Sequence, residues 1–400
     1  MADFNAMHVI EALRSGVPSR TVGAYFSEAR PGILNRIRGK MEAVRETGQS
    51  DAMVFRGNYG EGKTHMLNTV FSIAAEEKMA VSYVSLGKET PMDKIHLLYA
   101  RIMANTFLPG KEQPGFDTLL EEMTPGSGIA GELMAYAATE PETNKIFYLL
   151  KAMWGTQDEE EKMQFLGDLK GDFVSNALVK KVYRRVTGKP AQFNQNFTKT
   201  KHCMDYFAFM STLFRRAGMT GWVILFDEAE LIGRLGKKAR AKSYRAMQQF
   251  LQPAGKLEGV FSLFAFSTSF TEDVIDKKHE FDNVEAAFAE ESDALKAAKA
   301  TLNAIINAPE LVSLTKEETL RVLGSIQEFH AQAYNWKPSL SPEMLYAATE
   351  GGGYLLRTRI RAAIELLDQL NQYGEAGRLK LTELGRESFE EDDVPELPEE

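Results

Sequence analysis

The sequence predicts an α/β layer sandwich on a parallel sheet, with a large helical insertion and a helical C-terminal third. Three observations predict it. The short apolar run Met53-Val54-Phe55 opens into a glycine-rich loop that feeds a helical pattern. A second apolar run, Trp222–Phe226 (WVILF), ends on the acids Asp227-Glu228. Beyond Thr315 the pattern has helical period only.

Taken in order, residues 3–15 place Phe4, Met7, Ile10 and Leu13 on one side of a short amphipathic helix, which Gly16-Val17-Pro18 breaks. A second helix covers roughly Ile33–Glu46, and Gly48-Gln49-Ser50 turns into the first strand. After the glycine loop, Met66, Leu67, Val70, Phe71, Ile73 and Ala74 recur with helical spacing. Met79–Leu86 (MAVSYVSL) alternates as a second strand, and Asp93–Thr106 reads as helix. The stretch at about 107–220 far exceeds the ~30 residues of a simple βαβ unit. Its helical segments are Leu119–Glu122, Glu132–Ala138, Asn144–Met153, Glu159–Leu169, Phe173–Val186 and Met204–Ala217. Past Asp227, Lys238–Leu251 is helical, Gly259–Phe266 is a continuous apolar strand, and Asp282–Asn307 is one Ala-rich helical stretch. Leu311–Leu314 is a short last strand, which brings the parallel sheet to five. Thr315 and Glu318 form the capping box of a helix over Lys316–Tyr334. Pro338–Pro342 separates it from Glu343–Thr349, and Gly351-Gly352-Gly353 precedes the long helix Leu355–Tyr373.

These elements divide the chain. Residues 1–50 form an N-terminal helical lead-in, and 51–106 with 221–314 form a nucleotide-binding α/β domain in two parts. The insertion covers 107–220, a helical lid 315–386, and an acidic disordered tail 387–400. That tail holds eight acids and no Lys or Arg, so most of the net charge of −9 belongs to it and the body is close to neutral. No run of about 18 apolar residues is present, so no membrane span is expected. The first residues carry acids and no basic n-region, unlike a secretory signal. Cys203 is the only cysteine, which excludes an internal disulfide or a cysteine zinc cluster and suits a reducing cytoplasm. The six histidines show no metal-ligand spacing.

The chemistry concentrates in VFRGNYGEGKTHML. Gly57, Asn58, Tyr59, Gly60, Glu61, Gly62, Lys63 and Thr64, followed by His65, fit the phosphate-loop pattern G-x-x-x-x-G-K-[ST]. Glycines let backbone N–H groups wrap an anionic triphosphate where a Cβ would block the approach. Lys63 supplies a point charge for the β/γ-phosphates, and the Thr64 hydroxyl suits Mg²⁺. The bland alternative is a glycine turn with an exposed lysine. Asp227, at a strand C-terminus, suits Mg²⁺ through water, and Glu228 suits orienting and deprotonating the water that attacks the γ-phosphate. Thr268, in Ser267-Thr268-Ser269 at the end of the next strand, offers a hydroxyl to the γ-phosphate or to a plain strand cap. Arg357, Arg359 and Arg361 follow the triple glycine, and Arg357 is favoured to reach from the lid to the γ-phosphate. The run Arg234–Arg245 (RLGKKARAKSYR) has six bases and no acid. It suits a neighbouring subunit's γ-phosphate, a nucleic-acid backbone or a solvated helix face. A second cluster (Lys180, Lys181, Arg184, Arg185, Lys189, Lys199 and Lys201, with Tyr183, Phe193 and Phe197) suits single strands or an ordinary amphipathic surface.

Phosphate loop, Asp-Glu strand end, polar strand end and lid arginine follow one another as in AAA+ ATPases. With the lead-in LRSGVP (Leu13–Pro18), Tyr25-Phe26, GNYGEGKTH and Ala229-Glu230 after the acid pair, the chain resembles the BrxD-like and BrxC-like P-loop ATPases of bacterial BREX phage-defence loci. These are similar to the origin-recognition branch of AAA+ proteins. The resemblance implies that Gly57, Gly60, Gly62, Lys63 and Thr64 carry the triphosphate, with Asp227 and Glu228 in the metal and water roles. It implies that Thr268 and Arg357 are sensors and that Val17–Phe26 lies near the adenine. Arg357 stands four residues beyond Gly353, one more than the lid pattern usually has. ATP and Mg²⁺ as cofactors, self-assembly into a homo-oligomer, DNA-linked work, and partners such as a helicase or methyltransferase are further implications. A DNA-stimulated ATPase, a slow nucleotide-dependent assembly switch, and a small-molecule phosphotransferase remain as functional readings.

Overall fold

A computed structural model describes residues 4–15, 30–123, 125–253, 255–290, 292–349 and 356–374. The segment Val17–Phe26 that the resemblance would set near an adenine, the triple glycine and the acidic tail lie outside the described residues. The sheet has five strands: β1 (Asp51–Gly57), β2 (Ala80–Ser85), β3 (Thr106–Phe107), β4 (Trp222–Asp227) and β5 (Val260–Ser267), in the order β1-β5-β4-β2-β3. The first four in that order run parallel, so the C-terminal ends of β1, β5, β4 and β2 share one edge.

Alternation on each strand builds two cores. On β4, Trp222, Ile224 and Phe226 face a layer containing the helices Ile95–Ala104, Lys199–Arg216, Lys237–Leu251 and Asp293–Ile306. Val223 and Leu225 face the helices Pro31–Thr47 and Lys63–Glu76 on the other side. Every residue of β4 is buried, as expected of a central parallel strand. Phe226 stacks on Phe264 of β5 at 4.2 Å between centroids, which locks the two strands next to their functional ends. The insertion shares the first core: its Leu149, Leu150, Phe165, Val179 and Val182 are continuous with the sheet residues.

The sheet differs from the expected five parallel strands in two places. β3 is antiparallel to β2, paired through Val81–Phe107 and Ser82–Thr106. It is tied by the Ser82 hydroxyl, which bonds Thr106 Oγ1 at 2.7 Å and accepts from Trp222 Nε1 at 2.8 Å. The expected strand Leu311–Leu314 is instead a single parallel bridge between Glu310 and Arg56. Pro309 has no N–H to donate, and just beyond it the Val312 carbonyl accepts from Arg30 while the Ser313 hydroxyl donates to Glu61. Those contacts draw the chain off the sheet edge. The Ala-rich stretch Asp282–Asn307 also divides, into Glu280–Ala287 and Asp293–Ile306, because Ser292 caps the second helix by accepting from the Leu295 N–H at 3.2 Å.

The C-terminal helices Lys316–Tyr334, Pro342–Thr349 and Leu356–Tyr373 bury a third core, which also takes in Ala6, Val9 and Ile10 of the helix Phe4–Ser15. The capping box at Thr315 and Glu318 is formed. Arg14 of the first helix donates to both Asp368 oxygens, at 3.2 and 2.8 Å, and to the Tyr334 hydroxyl at 3.0 Å. Trp336 Nε1 donates to His330 Nδ1 at 2.9 Å, which leaves His330 Nε2 to donate to Asp368 at 3.1 Å. Burial opposes ionisation of Asp368, but the His330 hydrogen bond and the Arg14 charge outweigh it and hold the carboxyl below its usual range.

A depressed folded value means that Asp368 stabilises the bundle above the unfolded carboxyl value and that this contribution is lost as pH falls through the folded one. Asp368→Asn is therefore expected to lower the thermal midpoint by a few degrees at pH 7. The gap from the parent should narrow as pH is lowered through about 4, monitored by circular dichroism.

Candidate active site

The shared strand edge gathers the residues that the motifs single out. β1 ends at Gly57, where an added Cβ would stand 3.0 Å from Leu311 Cδ1 and 3.2 Å from Lys63 Cγ. The loop turns through Gly60 (φ 76°) and Gly62 (φ 93°), both in the left-handed region that glycine adopts without strain. Between them the Glu61 N–H donates to the Asn58 carbonyl at 3.1 Å. Asn58 is exposed; Tyr59, Thr64 and His65 are half-buried. Helix Lys63–Glu76 starts with no side-chain cap, so its first N–H groups are left for an anion.

Tyr83 of β2 joins the loop to the acid strand. Its hydroxyl donates to Asp227 Oδ2 at 2.6 Å, close to the Thr64 side chain. Burial, then the Asp227 carboxylate, push the Tyr83 phenol well above its ordinary value, so it remains a neutral donor. Asp227 is 3% exposed, and its Oδ1 accepts from the Glu228 N–H at 2.9 Å. Glu228 is exposed and takes a left-handed backbone (φ 52°). That conformation is costly for a side chain with a Cβ, and it turns the chain sharply from β4 into the tight helical turn Ala229–Arg234. Thr268 follows β5, half-buried, with its N–H donating to the Gly57 carbonyl at 3.2 Å. The same carbonyl accepts from Lys63 Nζ at 3.3 Å. Lys63, Thr64, Asp227 and Thr268 therefore meet at one strand edge. Thr64 and Asp227 place a hydroxyl and a carboxylate beside one common neighbour, an all-oxygen donor pair suited to magnesium with phosphate and water completing its shell.

Of three further residues at the site, two were not singled out from sequence and the third was quoted there only as part of the family resemblance, with no role. One is Tyr83. Arg30 is another: it donates to the Glu61 carbonyl at 2.7 Å and to Glu61 Oε2 at 3.2 Å, and it also reaches the Val312 carbonyl. Burial lowers the Arg30 guanidinium from its ordinary value against the pull of Glu61. The third is Glu230, whose Oε1 lies 3.3 Å from Lys63 Nζ. No local pattern marks these three, because each acts through a strand pairing or a contact distant in sequence.

Other candidates fall elsewhere. Arg357 is half-buried on a helix that packs with Phe4–Ser15, Lys316–Tyr334 and Pro342–Thr349, and its Nε has no hydrogen-bond partner among the described residues. Arg359 lies over the Tyr346 ring at 4.6 Å, within the bundle. The basic run is not one exposed face: Arg240 is buried and donates to Glu280 Oε1 at 3.0 and 2.9 Å and to the Leu235 carbonyl at 2.6 Å. Lys237, Lys238, Lys242 and Arg245 are exposed. In the insertion, Phe197 is buried against Tyr206 and Phe173, and Phe193 packs on Tyr148. Those aromatics serve the local core and are not a platform for bases.

A family model for the BREX system ATP-binding protein BrxC/D matches residues 3–146 and 145–384. The chain belongs to this BrxC/D family. No curated protein matches it. Family membership implies nucleotide binding, for which the glycine cradle and Lys63 are the fitting residues. No helix among the described residues is long and apolar enough to cross a membrane.

Arg30→Ala strands the Glu61 carboxylate in the loop and is expected to cost about 3 kcal/mol of stability by thermal unfolding. Adding Glu61→Gln should recover part of that loss, since the second change removes the uncompensated charge.

Proposed function

We propose that the chain binds magnesium ATP between the phosphate loop and the tip of β4 and hydrolyses it. The observation that carries this reading is that the glycine loop and the tip of β4 meet at one strand edge, with Tyr83 donating to Asp227 near Thr64 and Lys63 bonded to the Gly57 carbonyl. Thr64 and Asp227 would hold magnesium, which when bound supplies charge neutralisation at the phosphates. Lys63 and the N–H groups of the loop bind the β/γ-phosphates. Glu228, exposed at the strand end, orients the attacking water and takes its proton. Thr268, anchored to Gly57, presents a hydroxyl beside the γ-phosphate. Arg357, whose Nε has no hydrogen-bond partner among the described residues, is the candidate for a lid contact.

Turnover of this kind fits a DNA-associated subunit of a phage-defence system that remodels DNA or a protein complex as a homo-oligomer beside partners such as a helicase or methyltransferase. Membership of a BREX ATP-binding family supports that setting. Exposed Lys180, Lys181, Arg184 and Lys189, in a stretch without acids, support contact with nucleic-acid phosphates. Exposed Lys238, Lys242 and Arg245 share a helix face suited to a neighbouring subunit's nucleotide. In this arrangement 51–106 and 221–314 form the nucleotide domain, 107–220 an insertion and 315–386 the lid. A slow assembly switch is the second reading, favoured by the packing of the Arg357 helix within its own bundle.

Steady-state phosphate release tests the assignment. Lys63→Ala is expected to lose ATP binding and hydrolysis together, and Glu228→Gln to keep binding while turnover falls ~100-fold or more. Undiminished hydrolysis in Glu228→Gln defeats the water-activating role. Duplex DNA should raise the parental rate, whereas a rate indifferent to DNA with an ATP-dependent change in sedimentation mass favours the switch.

A further inference from the structure

The phosphate-loop lysine has a partner for which the motif makes no provision. Lys63 Nζ pairs with Glu230 Oε1 at 3.3 Å, and the two side chains are only 9% and 4% exposed. The same ammonium donates to the Gly57 carbonyl at 3.3 Å. It is therefore held between a neutral oxygen of the loop and an enclosed carboxylate two residues beyond Glu228.

We propose that Glu230 is a positioning residue that holds Lys63 in the nucleotide-free site and sets how tightly the triphosphate binds. The proposal rests on the reading of the loop as a nucleotide site. A phosphate and Glu230 compete for one ammonium. Because the carboxylate is enclosed, its field is weakly screened, so it attracts Lys63 and repels an arriving polyanion at once. Drawing Lys63 toward the phosphates weakens its attraction to Glu230, a cost that opposes binding. The benefit is a lysine kept extended toward the loop, with less side-chain freedom to lose when phosphate arrives. Glu230 stands on the turn Ala229–Arg234, which runs into the helix Lys237–Leu251. Arg240 anchors that helix to buried Glu280. The carboxylate is thus fixed to a rigid element and does not simply follow the lysine.

Equilibrium titration with a fluorescent, non-hydrolysable ATP analogue and magnesium tests this on the full chain. Glu230→Gln removes the competing charge, keeps an oxygen for Lys63, and is expected to bind about tenfold more tightly than the parent. Glu230→Asp retains the charge but withdraws it by one methylene, and should show a smaller gain of the same sign. A purely structural role would lower affinity along with stability, so the direction of change separates the two. Either variant, folded, binding no more tightly than the parent overturns the proposal. Failure of both variants to fold also overturns it, since Glu230 would then serve the turn alone. A parent that ignores the analogue, or a Lys63→Ala variant that binds as well as the parent, instead defeats the nucleotide-site reading.

Discussion

The hydroxyl of Tyr83 is the contact on which the site depends. It belongs to neither motif, yet it donates its one proton to Asp227 at the end of β4, close to Thr64 at the start of the loop helix. A neutral donor on β2 thereby fixes the acid at the tip of the neighbouring strand. Burial keeps the phenol protonated, so this donor does not switch with pH in the ordinary range. The Asp227 carboxylate, one of the two groups proposed to hold magnesium, is thereby held in place by the strand beside it.

The rest of the scaffold makes that edge rigid. Parallel pairing of β1, β5, β4 and β2 brings four C-terminal ends together, and the two-sided core beneath them resists shear. Gly57 is tightly packed: its carbonyl serves both Lys63 and the N–H of Thr268, and an added Cβ would press on Leu311 at 3.0 Å. The loop itself is braced from outside the sheet by Arg30 and Ser313, both on Glu61. Ser313 lies just before the capped helix Lys316–Tyr334, so the segment that steadies the loop also leads into the C-terminal bundle. The loop is thus joined to that bundle through one hydrogen bond and a short stretch of chain.

Much of this was legible in the sequence because the signals are local. The glycine turn into a helix, the apolar run WVILF and the Thr315–Glu318 box each lie within a few residues, and each takes the local structure expected of it. The errors arise where tertiary context outweighs local pattern. A two-residue strand such as Thr106-Phe107 has no period to detect; it exists because Ser82 and Trp222 hold it. Leu311–Leu314 has strand composition, but Arg30 and Glu61 claim the polar groups next to it. Arg240 looks like its basic neighbours until Glu280, forty residues on, is folded against it. Tyr83 and Arg30 reach the loop and the acid strand through contacts that sequence spacing does not mark, and Glu230, quoted after the acid pair, gave no sign of its contact with Lys63.

The central claim is that the loop helix and the tip of β4 enclose one metal–triphosphate position. Soaking or co-crystallising the chain with manganese and a non-hydrolysable ATP analogue, and locating the metal by its anomalous signal, addresses it most directly. The account predicts a peak bound by the Thr64 hydroxyl and held to Asp227 directly or through one water, with Lys63 on the phosphates. Metal and phosphates found together at any other edge of the sheet would contradict it.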